Sequence, residues 1–217
     1  MVYSFLDWAF APLIRLKVKK VVGLENLPCQ GGFILAVNHD FHNDDLYLVA
    51  ALLPRLKRKI HFIVHDYVYD FCGKKLGGDL LGFIRISRDC PSACLAQARE
   101  LLMSGKIIGI YPEGTTQKSG LIRGKTGAAR LALWTKKPVV PVGFISKHPD
   151  IIGQKYFILL FKSFFLWPRF IINIGKPMTF EKYYGQSIDK TLLYEVTDKI
   201  MRQIAFLCQK EYKRSDK

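Results

Sequence analysis

Residues 33–44 read Phe33-Ile34-Leu35-Ala36-Val37-Asn38-His39-Asp40-Phe41-His42-Asn43-Asp44, five apolar residues running into a polar stretch. A short apolar run bounded by turn formers reads as a strand buried on both faces. Its exit carries a histidine and an acid five residues apart, His39 and Asp44. On a regular helix of about 3.6 residues per turn these side chains would point roughly 140° apart, so they meet only if the chain turns between them. A strand leading into a helix start supplies that turn, and the pair then reads as a base and its orienting carboxylate. Imidazole titrates near neutrality, and a carboxylate on one ring nitrogen fixes the tautomer so that the other can take a proton from an alcohol. The spacing is also compatible with His39 as a helix cap above solvated first-turn acids Asp44 and Asp45. A metal site built from His39, His42 and Asp44 is a further alternative.

A second strand signal lies at 107–111, where an apolar run breaks into Pro112-Glu113-Gly114-Thr115-Thr116. In open α/β sheets ligands bind at the carboxyl ends of strands, where such a polar turn would sit. Lys125 follows nine residues after Thr116, and Gly127 then opens a helical pattern through Leu131 and Trp134. A cation beside free backbone N–H groups at a helix start suits a phosphate.

These blocks resemble the glycerolipid acyltransferase family, of the type that acylates lysophosphatidic acid (1-acylglycerol-3-phosphate). The family's His-x4-Asp block matches Asn38, His39 and Asp44, and its glycine, apolar and arginine block is similar to Gly82-Phe83-Ile84-Arg85-Ile86-Ser87-Arg88. Its Phe-Pro-Glu-Gly-Thr-Arg block resembles Tyr111 to Thr116, and its apolar-proline block resembles Val139-Val140-Pro141-Val142-Gly143. All four occur in order across residues 17–174.

The resemblance implies acyl transfer from acyl-CoA or acyl carrier protein to the free hydroxyl of a lysophospholipid, with no metal, no bound prosthetic group and no covalent acyl-enzyme. It assigns His39 as general base and Asp44 as its orienting partner. It assigns Glu113, Gly114 and Thr115, with the cations Arg88 and Lys125, to the acceptor phosphate. Arg85 is either a further phosphate cation or a solvated strand residue. Two positions depart from the family pattern. Thr116 stands where arginine is common, so a phosphate contact is lost or moved, for example to Lys118 or Arg123, and His65 stands where lysine is common. Threonine does not replace a bidentate arginine at equal strength, so a different acceptor headgroup is one alternative. A glycerol-3-phosphate acyltransferase, a non-catalytic lipid-binding protein and a simple hydrolase are others.

With 33 basic and 18 acidic residues the formal charge is +15, which favours polyanionic partners. Anionic lipid fits better than nucleic acid, because the cations are interspersed with apolar residues and no zinc-finger, recognition-helix or aromatic RNA-binding pattern occurs. In residues 1–16, Val2, Phe5, Leu6, Ala9, Phe10 and Leu13 recur at helical spacing, with Tyr3 and Trp8 as amphipathic rings. Asp7, Pro12 and Arg15 interrupt the roughly 20 apolar residues that a spanning helix needs. The expectation is a monotopic interface helix on the cytoplasmic membrane face, with helix packing on the protein's own core as the alternative. A secretory signal is not expected, since no basic leader precedes the apolar stretch. The aromatic run at 164–167 reads either as a loop dipping into lipid or lining the acyl channel, or as plain packing.

Strands are expected at 17–22, 33–37, 60–64, 83–86, 107–111, 139–144, 157–161 and 170–174, and helices at 44–53, 92–103, 125–135 and 191–209. The alternation predicts an α/β fold, a single mixed or largely parallel sheet flanked by helices. Residues 17–217 form one catalytic domain behind the interface segment in this reading. Five cysteines without a Cys-x2-Cys pair argue against a disulfide framework or zinc site.

Overall fold

The computed structural model describes residues 11–40, 44–86, 91–116, 120–146 and 170–212. Among the described residues seven strands form one sheet: β1 (Val18–Val22), β2 (Phe33–Val37), β3 (Ile60–His65), β4 (Ile84–Ile86), β5 (Ile107–Ile110), β6 (Val139–Ser146) and β7 (Phe170–Ile174). Their order is β1-β7-β6-β2-β5-β3-β4, and every neighbouring pair is parallel except the antiparallel β6–β7. The expected mixed, largely parallel sheet is therefore present. The strand expected at 157–161 and the aromatic tip at 164–167 lie outside the described residues.

β2 occupies the centre, and all five of its residues are buried. Strand alternation sends Ile34 and Ala36 to one face of the sheet and Phe33, Leu35 and Val37 to the other. The first face packs on α5 (Gly127–Thr135) through Ala128, Ala129 and Leu131, and on α6 (Lys190–Cys208) through Val196, Ile200 and Ile204. The second receives Leu48, Ala51, Leu52 and Leu56 of α2 (Asp44–Leu56). Full burial of each leucine, isoleucine, valine or phenylalanine among them contributes on the order of 1.5–3 kcal/mol, in keeping with the wholly apolar β2. Val196, Ile200 and Ile204 of α6 thus belong to the core. Its start is capped by Asp189, whose side chain accepts from the Leu192 N–H at 2.7 Å. At Gly143 a Cβ would lie 2.3 Å from the Leu207 backbone, so glycine lets the end of α6 rest directly on β6.

Helix α4 (Pro91–Met103) follows the expected span closely, whereas α5 begins two residues later than expected and leaves Lys125 in the preceding loop. A short helix α1 (Ala11–Arg15) falls within the proposed interface segment, whose residues 1–10 lie outside the description. Among the described residues no helix is long and apolar enough to cross a membrane.

Helix α3 (Asp66–Gly73) and the π-helical turn after it (Lys74–Leu81) have no counterpart in the expected elements. No residue of α3 is buried, and Tyr67 and Phe71 are exposed. An element lying so shallowly imposes no long apolar stripe, and its Tyr and Val content imitates a strand.

Candidate active site

The sheet positions the candidate site residues through register. Parallel pairing of β2 with β5 sets Ala36 opposite Ile110. Three residues beyond each lie His39 and Glu113, and there the ladder is replaced by a side-chain bond: the His39 backbone N–H donates to Glu113 Oε1 at 3.0 Å. On the other flank Asn38 extends the β2–β6 pairing with its amide, donating to the Phe144 carbonyl at 2.9 Å and accepting from the Phe144 N–H at 2.7 Å. The loop carrying His39 is therefore pinned from both neighbouring strands.

His39 and Asp44 meet. The imidazole Nδ1 lies 2.9 Å from Asp44 Oδ2, with Asp44 on the first turn of α2 and essentially buried. The same oxygen accepts the Asp40 backbone N–H at 3.1 Å, so the carboxylate also closes the turn between strand and helix. Donation of Nδ1–H to a buried carboxylate leaves the lone pair on Nε2. Tyr111 stacks on the imidazole, with ring centroids 4.4 Å apart at 28°, and holds the plane of the ring.

Electrostatics follow from this enclosure. Burial alone would lower the His39 pKa, but the Asp44 charge and hydrogen bond, aided by Asp45 and Glu113, raise it above 6.5. Burial pushes Glu113 up to about 7 against the pull of backbone N–H groups from His39 and Ile122. Asp45 is pushed up to about 6 by burial and by the neighbouring Asp44 charge. Burial also raises Tyr111 well above its usual 10.

His39 opens onto a cleft of about 360 Å³. Its lining combines polar and charged residues, among them Asp45, His65, Lys125 and Arg130, with apolar ones, among them Ile63, Val68, Ile86, Leu95 and Ile110. Gly114 is left-handed at φ 65°, its N–H donating to the Tyr111 carbonyl at 3.0 Å. A Cβ there would lie 2.6 Å from Lys125 Nζ, so the ammonium passes directly over the glycine. The Lys125 backbone N–H in turn donates to the Pro112 carbonyl at 2.7 Å. His65 Nε2 sits 3.2 Å from the Gly114 carbonyl, and its ring stacks near Tyr67.

Other expected binding residues are placed differently. The Glu113 side chain points away from the cleft toward the His39 backbone and is only 2% exposed. Thr115 is exposed on the turn but does not line the cleft. Arg85 is outside it as well, its guanidinium paired with Asp66 at 2.9 Å and Asp70 at 3.3 Å. Arg123 lies over the Tyr194 ring at 3.8 Å. Arg88 and Lys118 fall outside the described residues, as does His42. Among the described residues no three His, Cys, Asp or Glu side chains are grouped as metal ligands.

An acyltransferase family model matches residues 18–145, more than half of the chain and the whole stretch from β1 to β6. The chain belongs to the Acyltransferase family. A 1-acyl-sn-glycerol-3-phosphate acyltransferase of Bacillus subtilis is 30% identical over 146 residues, covering 65% of this chain and 70% of that protein. A chloroplastic protein of the same name from Brassica napus is 27% identical over 139 residues, 62% of this chain and 39% of its own length. An uncharacterized Mycobacterium leprae protein, 25% identical over 237 residues, is spanned for 62% of its length. The crystal structure of the lysophosphatidic acid acyltransferase PlsC from Thermotoga maritima shares the fold, with TM-score 0.62 over 99% of this chain and 81% of that one at 20% identity. This acyltransferase carries its histidine and carboxylate at the carboxyl end of the central strand, where a ligand has access to the sheet.

Proposed function

We propose that this acyltransferase moves a fatty acyl group from acyl-CoA or acyl carrier protein to the free hydroxyl of a lysophospholipid, 1-acylglycerol-3-phosphate giving phosphatidic acid. The observation that carries this reading is the His39–Asp44 pair opening onto a cleft lined by both cationic and apolar side chains. The two kinds of lining suit the phosphate and the acyl chain of a lysophospholipid.

His39 Nε2 takes the proton from the acceptor hydroxyl as its oxygen bonds to the thioester carbonyl carbon. Asp44 keeps the imidazole in the needed tautomer and stabilises the imidazolium. Collapse of the tetrahedral adduct breaks the C–S bond, and the leaving thiolate receives the proton from the imidazolium. The acyl group passes directly to the acceptor, and no metal or prosthetic group enters the scheme. Lys125 and the Gly114 turn face the acceptor phosphate. Glu113 serves by holding the His39 backbone, in keeping with its inward carboxylate.

Residues 1–16 serve as the interface anchor and 17–217 as one catalytic domain, with the cleft working at the cytoplasmic membrane face. A charge of +15 supports contact with anionic lipid. The test is to follow a labelled acyl chain from acyl-CoA in the presence of 1-acylglycerol-3-phosphate. Label in phosphatidic acid is expected. Label appearing as free fatty acid at the same rate with and without acceptor would make the protein a hydrolase.

A further inference from the structure

Thr116 stands where the motif resemblance leads one to expect an arginine. Arg123 is stacked on Tyr194 and Arg85 is paired with Asp66 and Asp70 away from the cleft. Arg130 reaches it from the first turn of α5, beside Lys125 and Thr126. Its Nε donates to Thr126 Oγ1 at 3.3 Å, and its guanidinium sits 5.9 Å from the Trp134 ring centroid. Thr126 occupies the N-cap position, yet its side chain makes no capping bond to the helix and instead steadies Arg130. A helix start without a side-chain cap, facing a cleft, favours an anion.

We propose that Arg130, together with Lys125 and the uncapped start of α5, seats the acceptor phosphate and selects a terminal phosphomonoester over headgroups whose phosphate is esterified. This rests on the acyl-transfer reading for the identity of the ligand. With Nε held by Thr126, the remaining guanidinium N–H groups offer a fork that meets two phosphate oxygens, and the Lys125 ammonium meets a third. A phosphomonoester has three unsubstituted oxygens and a charge of about −1.5 to −2 near neutrality, as a phosphorylated side chain does. A diester has two such oxygens and a single charge. Asp45 is the acidic side chain lining the same cleft, and it adjoins the His39–Asp44 pair in sequence.

The experiment compares the full chain with Arg130→Ala and Arg130→Lys, each checked for an unchanged thermal unfolding curve. Acceptor KM is measured for 1-acylglycerol-3-phosphate and for its phosphocholine diester. Arg130→Ala is expected to raise the monoester KM roughly ten- to hundredfold, with kcat and the acyl-CoA KM changed much less. The preference for monoester should narrow accordingly. Arg130→Lys should recover only part of the loss, because an ammonium cannot make the fork. An unchanged monoester KM, or equal losses on both acceptors, overturns the proposal. Calorimetric binding of sn-glycerol 3-phosphate separates it from the reading it rests on. Binding that depends on Arg130 in a protein that transfers to no lysophospholipid would leave the phosphate site standing and remove acyl transfer. Binding that does not depend on Arg130 removes the site whatever the activity.

Discussion

Lys210, two residues past the end of α6, forms an ion pair with Asp40, the residue next to His39. Both side chains are largely buried, and the second Asp40 oxygen accepts the Ser146 N–H at 2.8 Å. The C-terminal helix, the central strand and β6 are thereby tied together at the site. Lys210→Met would leave Asp40 as a buried charge without its ammonium. Breaking one side of such a pair costs on the order of 3–5 kcal/mol. Denaturant unfolding should show a loss of this size, together with a lower kcat. A midpoint equal to that of the parent protein would mean that the pair holds nothing.

Asp44→Asn tests the electrostatic half of the mechanism. The Asp44 charge and hydrogen bond oppose the burial that lowers the His39 pKa, and with Asp45 and Glu113 they raise it above 6.5. A histidine acting as the proposed base works neutral, so kcat/KM is expected to rise with pH through that pKa. Removing the charge should move this acid limb to lower pH while the plateau falls by about a hundredfold or more. A pH–rate profile checks both, and an acid limb that stays in place would separate Asp44 from the titrating group.

Glu113 gives a pH dependence of stability with a defined sign. Its pKa is raised from 4.5 to about 7 in the fold, so the folded state disfavours the charged form. The stability tied to its protonated form is fully present below about pH 4.5 and is lost as pH rises toward 7. Glu113→Gln cannot ionise and keeps an oxygen for the His39 N–H. Thermal unfolding should therefore favour the variant more at pH 8 than at pH 5, by up to about 3 kcal/mol. A difference independent of pH contradicts this.

At Gly114 the backbone is left-handed and Lys125 lies over the missing side chain. Gly114→Ala adds strain of roughly 1–2 kcal/mol. The flexible lysine can step aside, so the added methyl should act mainly by moving the ammonium off the turn. A modest drop in melting temperature with a clear rise in acceptor KM is the expected pair of results. A drop in kcat alone would place the effect at His39.

The parts of this structure legible in the sequence are those decided by local pattern. Apolar runs at Phe33–Val37 and Phe170–Ile174 gave the bounds of β2 and β7, because buried strands between turn formers have sharp edges. The meeting of His39 with Asp44 followed from a strand handing over to a helix within five residues. The inward turn of Glu113 did not, since it depends on the register of β5 against β2, which brings together residues 74 apart in sequence. Lys210 is 170 residues from Asp40, and a lysine just after a helix reads as solvated. Arg130 was hidden for another reason: one arginine among the alanines and leucines of α5 looks like the polar face of an amphipathic helix.

In the proposed mechanism His39 removes the acceptor's proton during direct acyl transfer. Thiol release from acyl-CoA, measured with and without 1-acylglycerol-3-phosphate for the parent protein and His39→Ala, tests it most directly. Acceptor-dependent release is expected in the parent, with a loss of at least about a hundredfold in a variant that still folds, judged by an unchanged unfolding curve. Acceptor-dependent release surviving in His39→Ala would contradict it.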